Sequence, residues 1–491
     1  MAERRHPQST DIIALLLLVT VVVVLLCLHS LAGYTLPAPW PDEAHFLWQS
    51  TAFADHGTLF APELNPDREI LWQPPGYFVL TGAAFEIFGS SLSVARFSSL
   101  IFLLCGFAIF WLILRRFDLP WPVYLLSALF WTGSNFVACG NVARMEAPLI
   151  AVGLLGIYLL LQHRPISGMA ILSVTPLIHP NGIFFIAGGI LILILNRDAL
   201  TGTRLASDRF GILTCVLALG LWLWYAVYVA GHWNSFVHDM QFQFARKGQR
   251  SWVSELYSQD SVRFIVYLLP GLIWSSFGRK QFRSLLAVAL CLWLLWVAGG
   301  EMWYRIFYLL AVLLAQILLI ALAYSASDNL KLFNGKWRKY LLAVAVGAFL
   351  LLTNLRFHNI ERVWNINQSL SFCDMTPQLN LPYNEPDDIS IVSDKVRQMA
   401  KPGLTTIEIV PSADAFLFMQ LRDNGNQFST PLFCERTPDI LLFHDSPTLP
   451  AKFRVLWQEG LTTRGIDTVT GPEFLIHENP TGEKWYARAI K

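Results

Sequence analysis

Two adjacent carboxylates, Asp42 and Glu43, stand a few residues beyond a long apolar run, in the segment PAPWPDEAHFLWQS. A carboxylate can take the proton from a hydroxyl or amine as that group attacks an electrophilic carbon. Neighbouring acids make one another better bases unless an arginine offsets the effect. Cations that could meet a phosphate recur further on: Arg144 in CGNVARMEAP, Arg246, Lys247 and Arg250 in the polar-aromatic stretch after Gly231, and Arg305 in GGEMWYR, with Tyr304 beside it. Fixed guanidinium and ammonium donors stabilise charge that develops on a leaving phosphate. Arg305 is the first choice for that task. Glu146 supplies a third acid, His179 stands in HPNG, and Gln73 precedes Pro74 and Pro75.

Each residue also has a plainer reading. Asp42 and Glu43 suit the first turn of a helix, where the dipole favours acids. Glu146 could pair with Arg144 as a structural bridge, His179 could cap a loop before Pro180, and Arg246 to Arg250 could face lipid headgroups. A metal site from Glu43 or Glu146 with His179 is one further reading, so no cofactor is assured and a divalent metal stays open.

The elements that must position these groups are membrane spans. Of 491 residues, 54% are hydrophobic and 14% charged, against roughly a quarter charged in an ordinary soluble domain. The mean hydropathy is +0.46. Apolar runs of about 16 to 22 residues recur, near the length that crosses a bilayer. The fold class is therefore a polytopic α-helical membrane protein. A net charge of +1 and the lack of a basic tract exclude a nucleic-acid partner. Seven cysteines make neither a disulfide framework nor a metal spacing; Cys373 and Cys434 alone lie in polar surroundings where a pair could form.

Lys and Arg placement orients the spans. Arg4 and Arg5 put the N-terminus in the cytoplasm, and Ile12–Leu31 reads as a retained signal anchor that delivers residue 37 onward outside. Leu92–Leu114 returns to Arg115 and Arg116, Trp121–Ala138 exits, and Leu149–Leu161 returns to His163 and Arg164. Ile166–Leu195, broken at Pro176 and HPNG, reads as two short helices meeting near the outer face, which a membrane tolerates where they are buried or line a cavity. Phe210–Ala230, Val262–Phe277, Ser284–Ala298, Tyr304–Ala323 and Tyr340–Leu352 complete about eleven spans by this charge pattern. Acids such as Asp42, Glu43, Asp55, Glu69, Glu146, Asp239 and Glu301 collect on the side opposite the basic loops. In the outer loop 37–88, which carries the candidate active site, AHFLWQSTAFADHG reads as an amphipathic helix with Phe46, Trp48 and Phe53 at the membrane interface. PPGYFVLTGAAFEIFG reads as a second surface or half-inserted helix. Residues 1–353 thus form the membrane domain. Residues 354–491 form a soluble extracytoplasmic α/β domain, with helices at 387–400 and 412–422 and strands at 406–410 and 439–443.

PDEAHF after a first span resembles the Asp-Glu motif of the protein O-mannosyltransferase and aminoarabinose-transferase glycosyltransferases, which have the GT-C fold. QPPGYFVLTGAAFEIFGSSLSVARFSS is similar to the same superfamily's Pro-Pro, Phe-Gly and Arg pattern, met by Pro74, Pro75, Phe88, Gly89 and Arg96. NVARMEAPLIAVGLLGIYLL resembles its second acidic loop and following span. The resemblance covers the first third of the chain. It implies inverting transfer of a sugar from a polyprenyl-phosphate-linked donor to a lipid, glycan or protein acceptor, at the outer face of the inner membrane. It further implies Asp42 as base, with Glu43 and Glu146 positioning Asp42 or the acceptor. Some relatives carry a Lys where Gln73 stands, so the donor phosphate falls to Arg305, Arg144 or the Arg246, Lys247 and Arg250 group. Two other readings compete: a transporter or flippase of a lipid-linked or anionic substrate, which would favour inverted repeats and mid-membrane acids, and an assembly factor whose outer domain binds a partner.

Overall fold

The computed structural model describes residues 9–32, 41–61, 67–116, 124–125, 127–128, 131, 140–195, 209–247, 283–298, 386–401, 405–410, 415–422, 427–428, 437–445, 473–480 and 484–490, with 65, 462 and 482 singly. Helices open the chain: α1 (Ser9–Ala32), α2 (Pro41–His56), α3 (Gly76–Phe88) and α4 (Leu92–Arg115). Six more follow: α5 (Glu146–Leu161), α6 (Pro165–Ile178), α7 (Ile183–Leu195), α8 (Arg209–Gly231), α9 (Trp233–Lys247) and α10 (Arg283–Ala298).

Leu92–Arg115 and Phe210–Gly231 are long and apolar enough to cross a membrane, at 24 and 22 residues. At about 1.5 Å per residue each exceeds the roughly 30 Å hydrocarbon core. α8 leaves Val216, Leu219, Leu223 and Val227 exposed, the surface a lipid-facing helix presents. α3 has only 13 residues, too few to span. It stops at Gly89, whose φ of +85° is a conformation open to glycine and whose N–H reaches the Phe85 carbonyl at 2.8 Å. Ser91 then starts α4, its hydroxyl accepting the Val94 N–H at 3.2 Å.

Close packing turns these helices into a bundle. Gly156 of α5 faces Gly168 of α6, and a Cβ on either would fall within 2.4–2.6 Å of Leu172 or Leu160. Backbone approach of this kind is how apolar helices gain van der Waals contact without help from water. Trp131 is buried against Phe107 and Phe110, at centroid distances of 5.3 and 6.4 Å. The break between α6 and α7 stands where HPNG predicted it: His179 is extended, Pro180–Gly182 makes a 3-10 turn, and the Thr175 hydroxyl donates across it to the Gly182 carbonyl at 2.9 Å.

Towards the C-terminus come α11 (Pro386–Met399), β1 (Thr406–Val410), α12 (Ala415–Arg422), β2 (Gln427–Phe428), β3 (Ile440–Asp445), β4 (Glu473–Glu478) and β5 (Lys484–Ala489). The sheet order is β2-β1-β3-β5-β4. β1 runs parallel to β2 and β3, and β5 antiparallel to β3 and β4. Ile440, Leu441 and Leu442 are consecutive and all buried, the pattern of a strand covered on both faces.

One expectation is overturned. Phe46 and Trp48 do not lie at a membrane interface; they are 2% and 5% exposed. Phe46 stacks on Trp72 at 5.6 Å, and Trp48 meets Phe418 of α12 at 5.0 Å. Protein, not lipid, covers both sides of α2. The expected spans Val262–Phe277, Tyr304–Ala323 and Tyr340–Leu352, most of Trp121–Ala138, the boundary at 353/354, and Cys373 and Cys434 lie outside the described residues.

Candidate active site

Pro41 opens α2, with φ preset for a first helical turn, and Asp42 and Glu43 follow in that turn. The Asp42 side chain lies outside the described residues; its backbone is fixed by the helix. Glu43 is fully buried, and so is Arg96 on the first turns of α4. Arg96 Nη2 donates to Glu43 Oε2 at 2.8 Å and Arg96 Nε to Oε1 at 3.0 Å. Ala143 N–H adds a third bond to Oε1 at 2.7 Å. A fork of this geometry is the strongest ion-pair arrangement a guanidinium makes. Without it a carboxylate at this depth would be prohibitive.

The clamp ties three chain segments together beside Asp42. The loop at 140–145 brings a second pair: Arg144 Nη2 meets Glu146 Oε1 at 2.9 Å, and Nε lies 3.2 Å from Oε2. Glu146 opens α5, so its charge also faces that helix's N-terminal N–H groups. The Arg144 guanidinium lies 5.4 Å from the ring centre of Phe46, three residues after Glu43. Asn141 Oδ1 and His29 Nδ1, near the end of α1, are 2.6 Å apart. At the other end of the bundle Arg116 reaches Gln162 and His163, each at 3.2 Å.

The remainder of the first loop is strapped between α2 and α9. Gln49 Nε2 donates to the Ile70 carbonyl at 2.6 Å, and Trp72 Nε1 donates to Gln49 Oε1 at 2.9 Å. From the opposite side, Asp239 of α9 takes the Leu71 N–H at 2.5 Å and pairs with Arg68 at 2.8 Å. Gly76, at the start of α3, sits against backbone of α6: a Cβ there would lie 2.6 Å from the Leu177 carbonyl oxygen. The end of the bundle that holds the acids is also covered by the α/β part. Trp48 packs on Phe418 and Phe428, at 5.0 and 6.3 Å, and Arg422 pairs with Asp55.

The structure therefore gathers Asp42 (by backbone), Glu43, Arg144 and Glu146 at one place. Gln73 lies on the strapped segment, half-buried. His179 takes the plain role, its Nδ1 accepting the Asn181 N–H at 3.0 Å. Arg246 and Lys247 form the last turn of α9, with side chains outside the described residues. Arg250, Tyr304 and Arg305 are outside them altogether. Among the described residues no group of three His, Cys, Asp or Glu side chains is placed to hold a metal ion. Sequence reasoning missed Arg96 as the partner of Glu43, Asp239 as the anchor of the first loop, and Phe418 as the cover of α2. A signal existed for Arg96, a charged residue at the head of an apolar span.

No protein-family model and no curated protein matches this sequence. Solved structures do. The chain is similar to ArnT from Cupriavidus metallidurans bound to undecaprenyl phosphate, with a TM-score of 0.55 and 14% identity over 96% of this chain and 97% of that one. It is similar to the apo state of the same protein, with a TM-score of 0.54 and 15% identity over the same shares. The likeness establishes the fold: a polytopic helical membrane protein of the GT-C type, the architecture implied by the motifs of the first third.

Proposed function

We propose that the chain is an integral-membrane inverting glycosyltransferase that moves a sugar from a polyprenyl-phosphate-linked donor to a lipid, glycan or protein acceptor on the extracytoplasmic face of the inner membrane. The observation that carries this reading is end-to-end likeness to an ArnT structure that holds undecaprenyl phosphate. The acid-bearing loops of this chain supply the chemistry. Asp42 takes the proton of the acceptor hydroxyl or amine as its lone pair attacks the anomeric carbon. The bond from that carbon to the phosphate oxygen breaks, and the pair leaves with the lipid phosphate. Attack opposite the leaving group inverts the centre. Glu43, with Arg96 and Ala143 on its carboxylate, holds the first turn of α2 and so positions Asp42. Arg305 remains first choice for the phosphate, ahead of Arg144 and of Arg246, Lys247 and Arg250; the pairing of Arg144 with Glu146 weakens its claim.

Facing rests on the charge asymmetry of the loops. Contacts of His29 with Asn141 at one end of the bundle and of Arg116 with His163 at the other support the grouping of those loops by side. Asp42→Asn should abolish sugar transfer, read as a glycan or glycolipid mass missing from envelope extracts, while membrane insertion and gel-filtration behaviour match the parent. Undiminished transfer by Asp42→Asn would remove the base from this scheme.

A further inference from the structure

The end of the bundle away from the acids carries a polar group that the reaction scheme leaves unused. α4 finishes on Arg115 and is capped by Arg116, and the turn from α5 to α6 reads Gln162, His163, Arg164. Arg115, Arg116, His163 and Arg164 are exposed. Arg116 Nη1 donates to Gln162 Oε1, and Nη2 meets His163 Nε2, each at 3.2 Å. A guanidinium has no acceptor, so His163 Nε2 accepts and the ring proton sits on Nδ1. Gln162 turns its oxygen to the same guanidinium. What remains for a ligand is chiefly donors: the other N–H groups of Arg116, the Nδ1–H of His163, the Gln162 amide and the Arg164 guanidinium.

Helix dipoles account for only part of this arrangement. Cations suit the last turn of α4, and the Arg115 guanidinium there lies 5.5 Å from the ring centre of Trp111. Arg164 is different: it caps the N-terminus of α6, the end where a dipole disfavours positive charge. His163 has a φ of 59° and is the one non-glycine residue with positive φ among the described residues, in a region that L side chains rarely adopt. A glycine would hold that turn without strain, and strained backbone clusters at ligand sites. No acidic side chain among the described residues pairs with Arg116, His163 or Arg164. The neighbouring surface is apolar. Gly189 of α7 packs on Met169 and Leu160, so the end of α7 beyond it draws level with Arg164. On that stretch Ile190 and Ile194, four apart and so on one helix face, are 47% and 65% exposed.

We propose that Arg116, Gln162, His163 and Arg164 form a binding site for the headgroup of an anionic phospholipid. Its phosphodiester oxygens, which only accept, take the N–H groups of the two arginines and of His163, and its acyl chains lie along the exposed isoleucines of α7. A zwitterionic lipid carries the same phosphate but adds a cation that the guanidiniums oppose. Free phosphate lacks the chains that cover the isoleucines. Basic groups between helix ends at a membrane surface recognise anionic headgroups on these terms. The site stands apart from the acids of the first loop and does not depend on the transfer reaction.

The test uses the full chain in detergent, read by native mass spectrometry with phosphatidylglycerol or phosphatidylcholine added. Each arginine beside an anionic lipid is worth about fivefold in affinity. The parent should therefore retain phosphatidylglycerol about tenfold or more better than phosphatidylcholine. Arg164→Gln should lose about fivefold of that preference, and the double variant Arg116→Gln with Arg164→Gln nearly all of it. The Arg164 side chain has no hydrogen-bond or ion-pair partner among the described residues, so its variant should fold like the parent. His163→Gly separates binding from folding: relief of the positive φ should raise resistance to unfolding by SDS, while the lipid preference falls by about threefold. The proposal is overturned by equal retention of the two lipids in the parent, or by a preference that survives in Arg164→Gln and in the double variant. Displacement of phosphatidylglycerol by inorganic phosphate would also overturn it, since the site would then be one for the free anion.

Discussion

Replacing Arg96 by methionine removes two guanidinium bonds from Glu43, whose buried carboxylate keeps the N–H of Ala143. Methionine fills the space of the arginine stem, so the loss is electrostatic. Stripping one partner from a buried, hydrogen-bonded ion pair costs about 3–5 kcal/mol, a large share of the roughly 5–15 kcal/mol that separates folded from unfolded states of typical domains. The fork has two charge-assisted bonds and complete burial of both residues, which places the expected loss in the upper half of that range. Glu43→Gln in the same background removes the stranded charge and keeps an oxygen for Ala143. The double variant should therefore recover more than half of the loss, a coupling that a double-mutant cycle isolates. The measurement is unfolding of the purified protein by titration of SDS into mixed micelles, with fluorescence-detected gel filtration as a second readout. A loss below about 1 kcal/mol for Arg96→Met, or a double variant as unstable as the sum of the singles, would show that the clamp does not hold α2.

Other expectations are more direct. Trp48→Ala empties the space between α2 and the aromatic rings of Phe418 and Phe428, at a cost of about 3–5 kcal/mol for a buried indole; limited proteolysis should cut the α/β part faster, and an unchanged rate would count against the contact. The nearby Asp55–Arg422 pair is partly exposed, so Asp55→Asn should change stability by no more than about 1 kcal/mol. Burial holds the Glu69 carboxyl above the ordinary carboxyl value of 4.5, with the Tyr228 phenol and the charge of His232 pulling the other way. The fold then binds more protons than the unfolded chain from pH 4.5 upward, so this group lowers stability as pH rises through its folded-state pKa. Glu69→Gln should flatten that part of the melting-temperature profile, and an unaltered slope would remove Glu69 as its source.

The sequence made the long-range architecture legible where local chemistry decides it. The apolar run of α4 between Ser91 and Arg115, the break at HPNG, and the strand Thr406–Val410 each depend on residues within a few positions. The reading of α2 failed because periodicity reports which side chains are apolar, not what covers them. Phe46 and Trp48 suit lipid or protein equally well, and their protein cover comes from residue 72 and from residues 418 and 428. Glu43 was visible as an acid at the right place, but its partners are 53 and 100 residues away, beyond what spacing can encode. Asp239 was visible only as one more acid on the outer side. Its hold on Leu71 depends on the path of a segment with no regular structure.

The seat of α12 on α2 sets an order of events during synthesis. α2 lies near the start of the chain, and the rings that close over Trp48 arrive only with residues 418 and 428 of 491. Until then the ribosome, the insertion machinery and the membrane must accommodate a helix whose largest aromatic side chain lacks two of its native ring neighbours, Phe418 and Phe428. A chain truncated before residue 415 keeps its candidate acids and all the spans expected from its sequence, yet leaves Trp48 without the rings of Phe418 and Phe428. Completeness of the polypeptide is thus written into the surface beside the acids, where a chaperone or protease could read it.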